Sequence, residues 1–244
     1  MTRPMNIVIL TGSGISAESG IPTFRTSGAT TFWDYIDSGG VRRSHPVEEV
    51  CTPEAFARDP ALVQHFYDQR RAALAAAEPN AAHHALARLD SAWTGELLIV
   101  TQNVDDLHER AGATRLLHMH GALRSAWCLA CDGRSAWDGP LEQEPSCPAC
   151  GVAGVLRPDI VWFGEIPYGM ERIDRALERA DLFVSIGTSG AVYPAAGFVR
   201  TARYHGAATL ELNLEPSGGS IFFDETRLGP AGQLVPEWVD ALLG

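Results

Sequence analysis

Four short apolar runs, each breaking into polar residues at its C-terminal end, constrain this chain more than any other feature. They are NIVILTGSG from Asn6, ELLIVTQNVDD from Glu96, DLFVSIGTSG from Asp181 and ATLELNLEP from Ala208. Continuous apolar runs of this length suit strands covered on both faces, as in a parallel sheet. Helical patterns lie between them: AAHHALARL over 81–89, and GMERIDRALERA over 169–180 with Ile173, Ala176, Leu177 and Ala180 on one face. Strands alternating with helices predict βαβ units and an α/β fold with helices on both sides of the sheet. The closing PEWVDALLG reads as a short helix with Pro236 in its first turn.

Two stretches break that rhythm. Residues 28–80 carry helical patterns such as PALVQHFYDQRRAALAAA and no good strand, and residues 121–157 hold four cysteines among Gly, Pro and polar residues. Both are expected to be insertions forming a smaller lobe. The domain reading is therefore a large α/β domain over 1–27, 81–120 and 158–244, a helical module over 28–80 and a cysteine module over 121–157. At 244 residues the chain can bury one substantial core with such a satellite.

In an open parallel sheet, ligands bind beyond the carboxyl ends of the strands, near the point where strand order reverses. Here the strand ends are Thr11-Gly12-Ser13-Gly14, Gln102-Asn103-Val104-Asp105, Gly187-Thr188-Ser189 and Asn213-Leu214-Glu215. Four hydrogen-bonding ends on one rim predict a nucleotide-sized site. The first fits a dinucleotide fingerprint ending in alanine, Gly12-x-Gly14-x-x-Ala17. Glycines there let the backbone approach a pyrophosphate, and the following helix offers free N–H groups. No clear ribose-binding acidic residue follows at the end of a second strand as in a usual Rossmann protein, so a site of an unusual kind is expected.

Cys128, Cys131, Cys147 and Cys150 form C-x2-C-x15-C-x2-C. Four thiolates at this spacing satisfy tetrahedral zinc and leave no position for substrate, so a structural Zn2+ is the favoured reading over an iron–sulfur cluster or redox pairs. The fifth cysteine, Cys51, makes an odd total, which speaks against a disulfide framework. The formal charge of −11 argues against a protein that grips nucleic acid. No apolar run approaches the ~20 residues a membrane span needs. A cytoplasmic monomer without membrane or nucleic acid is expected, with an acidic field that suits a cationic partner such as a basic peptide.

LLHMHGAL places His118 and His120 two apart, and His120 directly precedes Gly121 and the cysteine module. A base of near-neutral pKa at such a seam can take a proton at physiological pH. Taken together, GSGISAESGIPTFR, TQNVDDLHERAG, HMHG, the CxxC pairs, RPDIVWFGE, GTSGAVYPAAG and NLEP resemble a sirtuin, an NAD-dependent protein lysine deacylase. The match runs through nearly the whole chain in order.

The resemblance implies a Rossmann-like large domain, with a small domain of helical module and zinc ribbon. It implies that Gly12, Ser13, Gly14 and Ala17 lie along the NAD phosphates. Phe24 and Arg25 belong to a loop closing over the nicotinamide ribose. Gln102, Asn103 and Asp105 order the ribose and nicotinamide pocket. Gly187, Thr188, Ser189, Asn213, Glu215 and Ala231 contact the adenosine half. Val161, Phe163, Gly164, Glu165 and Val192 pair with the substrate peptide as an added strand. In the implied chemistry the acyl oxygen attacks the ribose carbon as nicotinamide leaves, and His120 is general base on a ribose hydroxyl. The alternatives are a protein mono-ADP-ribosyltransferase or a non-catalytic NAD-sensing or zinc-ribbon binding module.

VCTPEAFARDPALVQHFYDQRR further resembles the branch that accepts succinyl and malonyl groups. In that branch a Tyr-x-x-Arg pair lies in the acyl pocket, matched here by Tyr67 and Arg70 on one helical face. Cys51 stands where the branch usually has alanine, and Ser13 where alanine separates the first two glycines.

Overall fold

The computed structural model describes residues 4–22, 32–36 and 39–244. Its elements begin with β1 (Asn6–Thr11), α1 (Ser13–Ser16), β2 (Phe32–Ile36), β3 (Arg42–Pro46), α2 (Val47–Val50), α3 (Pro53–Arg58) and α4 (Pro60–Leu74). They continue with α5 (Ala81–Ala92), β4 (Glu96–Thr101), α6 (Leu107–Ala111), β5 (Leu116–His118), β6 (Gly121–Cys128), β7 (Arg134–Ala136) and β8 (Leu156–Ile160). The last are α7 (Met170–Glu178), β9 (Leu182–Ile186), α8 (Phe198–Tyr204), β10 (Ala208–Asn213), β11 (Glu225–Leu228) and α9 (Ala231–Leu243). Two compact units result: Met1–Thr23 with Ala77–Met119 and Tyr168–Gly244, and Phe24–Ala76 with His120–Pro167.

The first unit is a six-stranded sheet in the order β11-β10-β9-β1-β4-β5. Every neighbouring pair is parallel. Successive side chains of a strand point to opposite faces, so an all-apolar strand needs cover on both. Ile7 and Ile9 of β1 join Ile99, Val184 and Leu210 under α5 and α9. Val8 and Leu10 join Leu98, Val100 and Phe183 under α7 and α8. Burial of each such side chain contributes about 1.5–3 kcal/mol, which makes this layered core the main stabilising element of the unit.

β5 and β11 complete the sheet beyond the four expected strands. β5 is three residues long and β11, ETRL, is mostly exposed, so neither shows an apolar run. The closing helix also starts earlier than expected. Pro230 is its N-cap residue, Glu18 accepts a hydrogen bond from the Gly232 N–H at 2.9 Å, and Pro236 lies in the helix interior.

The second unit holds an antiparallel sheet in the order β7-β6-β8 and the hairpin β2–β3. The hairpin corrects the expectation of no strand in 28–80; its residues are largely exposed, which hides the pattern. Residues 158–160, assigned from the sequence to the large domain, pair instead with β6, as in Gly121↔Ile160 and Ala126↔Pro158. LRPDI is buried throughout, yet Arg157, Pro158 and Asp159 leave it no apolar run by which a strand could be recognised. Helix α3 is capped by Thr52, which accepts from Ala55 N, and α4 by Asp59, which accepts from Leu62 N, each at 3.0 Å. Buried Arg71 of α4 donates to Leu123 O at 2.6 Å and to Asp68 at 2.5 Å, fixing the helix against β6.

Candidate active site and metal centre

In the first unit the chain leaves β1 toward β4 on one side and β9 on the other, so the strand order reverses beside β1. The loops beyond β1 and β9 meet through glycine backbone. Gly12 N–H donates to Ile186 O at 3.0 Å and Gly14 N–H to Gly187 O at 2.9 Å. A Cβ on Gly14 would lie 2.7 Å from Gly187 Cα, and one on Gly187, at φ +62°, would lie 2.5 Å from Ile15 N. Neither position admits a side chain. Asn213 Nδ2 donates to Thr188 O at 2.8 Å, drawing the end of β10 into the same rim. Gln102, Thr188 and Val192 line one small cavity of about 20 Å3, room for one water. Ser13 and Ala231 are half-buried, Ala17 and Glu215 exposed. Ser189 Oγ accepts from Ala191 N at 3.4 Å. Phe24 and Arg25 lie outside the described residues.

Ser16, which sequence reasoning passed over, organises the end of β4. Its hydroxyl donates to Asp105 Oδ2 and accepts from Asn103 Nδ2, both at 3.0 Å. Asn80 N–H donates to His83 Nδ1 at 3.3 Å, so the His83 proton sits on Nε2, which faces Ser16 Oγ at 3.5 Å. Burial, then His84, lowers His83 to about 4. Burial holds His108 well below its ordinary value too, and its Nε2 lies 3.0 Å from Thr11 Oγ1. The two imidazole rings pack 5.0 Å apart, His83 against Ser16 and His108 against Thr11. Burial raises the Asp105 pKa, offset in part by Leu107 N–H and the Ser16 hydroxyl. The available signal was a serine inside a glycine loop at a position the helix buries.

His118 has an acceptor at each nitrogen: Asn103 O lies 3.0 Å from Nδ1 and Glu109 Oε1 2.7 Å from Nε2. Only the imidazolium donates to both. Burial alone would lower its pKa; the Glu109 hydrogen bond and charge, the Asn103 carbonyl and Asp105 outweigh burial and raise it above 6.5. A pKa raised in the folded state contributes stability in full below the unfolded value and loses it as pH climbs through the folded one. Thermal stability is therefore expected to decline from about pH 6.5 upward more steeply in the native protein than in Glu109→Gln. Because Glu109 is 46% exposed, screening limits the difference to about 1 kcal/mol, or 2–4 °C in melting scans across pH. Parallel pH curves would dismiss the pair.

In the second unit His120 is half-buried in the turn before β6, and its carbonyl accepts from Val161 N at 2.9 Å. Gly121 has φ +81°, and a Cβ there would lie 2.0 Å from Asp159 O, so glycine is required next to this histidine. Phe163 N–H donates to Cys51 O at 3.0 Å and Glu165 N–H to Trp162 O at 3.0 Å. Residues 161–165 thus form a turn whose N–H groups at Val161, Phe163 and Glu165 are already engaged, rather than a strand edge; Gly164 sits at its tip with φ +90°. The Glu165 carboxylate is held by Arg157 at 2.7 and 3.0 Å and by Trp162 N–H at 2.8 Å. Tyr67 is buried, and the Arg70 guanidinium lies 5.4 Å from the Phe66 ring centre.

The four clustered cysteines place their sulfurs within 4.8 Å of one another. Cys128 and Cys150 are 3.7 Å apart, and Cys131 and Cys147 3.9 Å. A tetrahedron with 2.3 Å zinc–sulfur bonds has edges of about 3.8 Å, so the donor set fits zinc. Cys128 N–H donates to Gly133 O and Cys147 N–H to Val152 O, each at 2.8 Å, closing a tight turn around each pair. These residues would hold a structural zinc, which would cross-link the two turns.

The sequence pattern of the Sir2 family matches residues 12–194. This chain belongs to the Sir2 family. A Caulobacter vibrioides NAD-dependent protein deacylase is 53% identical over 98% of this chain and 97% of its own length. A protein of the same description from Pasteurella multocida is 51% identical over the full length of both. A solved Sir2 homolog–NAD complex is 37% identical with a TM-score of 0.84, covering 99% of this chain and 91% of the other. The sirtuin fold is thus an α/β parallel sheet with a separate cysteine-bearing unit, and NAD is the cofactor the family uses.

Proposed function

We propose that this sirtuin is an NAD-dependent protein lysine deacylase that releases nicotinamide and passes the acyl group to ADP-ribose. The carrying observation is near-full-length identity above 50% to proteins described as NAD-dependent protein deacylases. When bound, NAD supplies an activated ribose carbon as acceptor. Gly12, Ser13, Gly14 and Ala17 take the pyrophosphate, while Gly187, Thr188, Ser189, Asn213, Glu215 and Ala231 take the adenosine half. Gln102, Asn103 and Asp105 orient nicotinamide and its ribose; the Ser16 hydrogen bonds that hold the last two rigid support this role. Phe24 and Arg25 shield the reacting sugar from water. His120 accepts a proton from a ribose hydroxyl. Val161, Phe163, Gly164, Glu165 and Val192 position the peptide.

Tyr67 and Arg70 bind the carboxylate of succinyl or malonyl groups beside Cys51, and acetyl groups are accepted as well. Arg70→Met is expected to lower kcat/KM for a succinyl-peptide by about 10–100-fold, the worth of a charge-assisted hydrogen bond, and for an acetyl-peptide far less. Equal losses would remove Arg70 from the acyl pocket. The net charge of −11 supports action on protein rather than nucleic acid, and a cytoplasmic monomer is the form proposed. No helix among the described residues is long and apolar enough to cross a membrane. The activity is tested by nicotinamide release from acetyl-, succinyl-, malonyl- and long-chain acyl-peptides, each with and without NAD. Release confined to mixtures holding both supports the reading; none with any acyl-peptide would end it.

A further inference from the structure

Tyr67 is 1% exposed and Cys51 4%. A phenol has one O–H to give and two lone pairs to receive with. Trp162 Nε1 donates to the Tyr67 oxygen at 3.0 Å, and Tyr67 donates its proton to Cys51 Sγ at 3.2 Å. Burial first, and then Cys51, raises the Tyr67 pKa, so the phenol keeps that proton. Each neighbour is held in place. The Arg157 guanidinium lies 3.4 Å from the Trp162 ring centre and clamps Glu165 with two nitrogens, while Glu165 accepts from Trp162 N–H. The Phe163 N–H holds the Cys51 carbonyl, and Arg71 holds α4.

We propose that Cys51 is a specificity-determining residue that engages the Tyr67 hydroxyl and fills the space beside it, shifting selectivity from acidic acyl groups toward short uncharged ones. The inference rests on the reading of Tyr67 and Arg70 as the acyl pocket. To serve a carboxylate, the Tyr67 O–H must give up its bond to sulfur while its oxygen stays fixed by Trp162. Sulfur is a weak acceptor, so the bond itself resists little. The larger obstacle is steric, because a carboxylate oxygen must come within about 2.7 Å of the phenol along the direction the sulfur occupies. An acetyl group has no use for that proton and loses only room.

The test compares kcat/KM for succinyl- and acetyl-peptides in the full-length, zinc-loaded protein. Cys51→Ala is expected to raise the succinyl-to-acetyl ratio about 5–10-fold, chiefly through a lower KM for the succinyl-peptide. Cys51→Ser keeps an acceptor beside the phenol and is expected to gain less, and it stands in if the alanine variant folds poorly. In Tyr67→Phe the gain from Cys51→Ala disappears. A ratio within twofold of the native value in both Cys51 variants, with Arg70→Met still selectively impaired, overturns the role of Cys51 and leaves the pocket intact. A gain that persists in Tyr67→Phe overturns it too. No selective loss in Arg70→Met overturns the acyl-pocket reading, and this inference with it.

Discussion

Replacing His120 with alanine is expected to lower acyl-peptide turnover by about 10²–10⁴-fold, the range a positioned general base supplies. Imidazole is suited to the task because its ordinary pKa lies near neutrality. The ring is half-buried, and the contact to Val161 is made by the His120 carbonyl, which alanine retains. The variant should therefore melt near the native protein while failing to turn over substrate. Steady-state deacylation beside a thermal scan checks both halves. Native turnover in a folded variant would remove His120 from the chemistry.

Metal removal should have the other large effect, on structure rather than chemistry. The interior around the cysteine module is small: Ala126, Cys128, Leu141, Cys147 and Leu156, two of them metal ligands. So few apolar side chains cannot order a loop-rich segment against its conformational entropy. Structural zinc contributes on the order of 10 kcal/mol in comparable small modules, about the whole stability of a domain. Chelation, or Cys131→Ser, is expected to melt the β7-β6-β8 sheet and abolish deacylation, with about one zinc released per chain by metal analysis. A metal-free protein with native circular dichroism and an unchanged melting temperature would contradict the structural role.

What the sequence disclosed follows from where the physics is local. The four central strands of the large sheet were legible because cover on both faces demands unbroken apolar runs, as in NIVILT and ELLIVT. The cysteine cluster was legible because ligand geometry ties spacing to chemistry. The hairpin β2–β3 and edge strand β11 were not, since residues such as Phe32, Ile36 and Leu228 face solvent and leave no burial pattern. The boundary at 158 was misplaced because LRPDI, with Arg157, Pro158 and Asp159 inside a buried strand, has no apolar run to mark it as part of the smaller sheet. Within the site, Asn103 and Asp105 stood out as polar residues ending a strand. Ser16, His83 and His108 did not, because a buried hydrogen-bond network among residues up to 97 positions apart leaves no local trace.

The Tyr67–Cys51–Trp162 contacts illustrate the same divide at the scale of selectivity. Tyr67 and Arg70 share a helical face by spacing alone, yet the partner that engages the phenol proton is 16 residues away in sequence. Only the fold reveals that the hydroxyl is already engaged.

The most direct test is the mass of what leaves an acetylated peptide when the protein and NAD are supplied. The account predicts one nicotinamide and one acetyl-ADP-ribose for each peptide that loses 42 Da, the mass of an acetyl group exchanged for hydrogen (about 42 by composition). ADP-ribose found covalently attached to peptide or protein, or deacetylation that proceeds without consuming NAD, would contradict it.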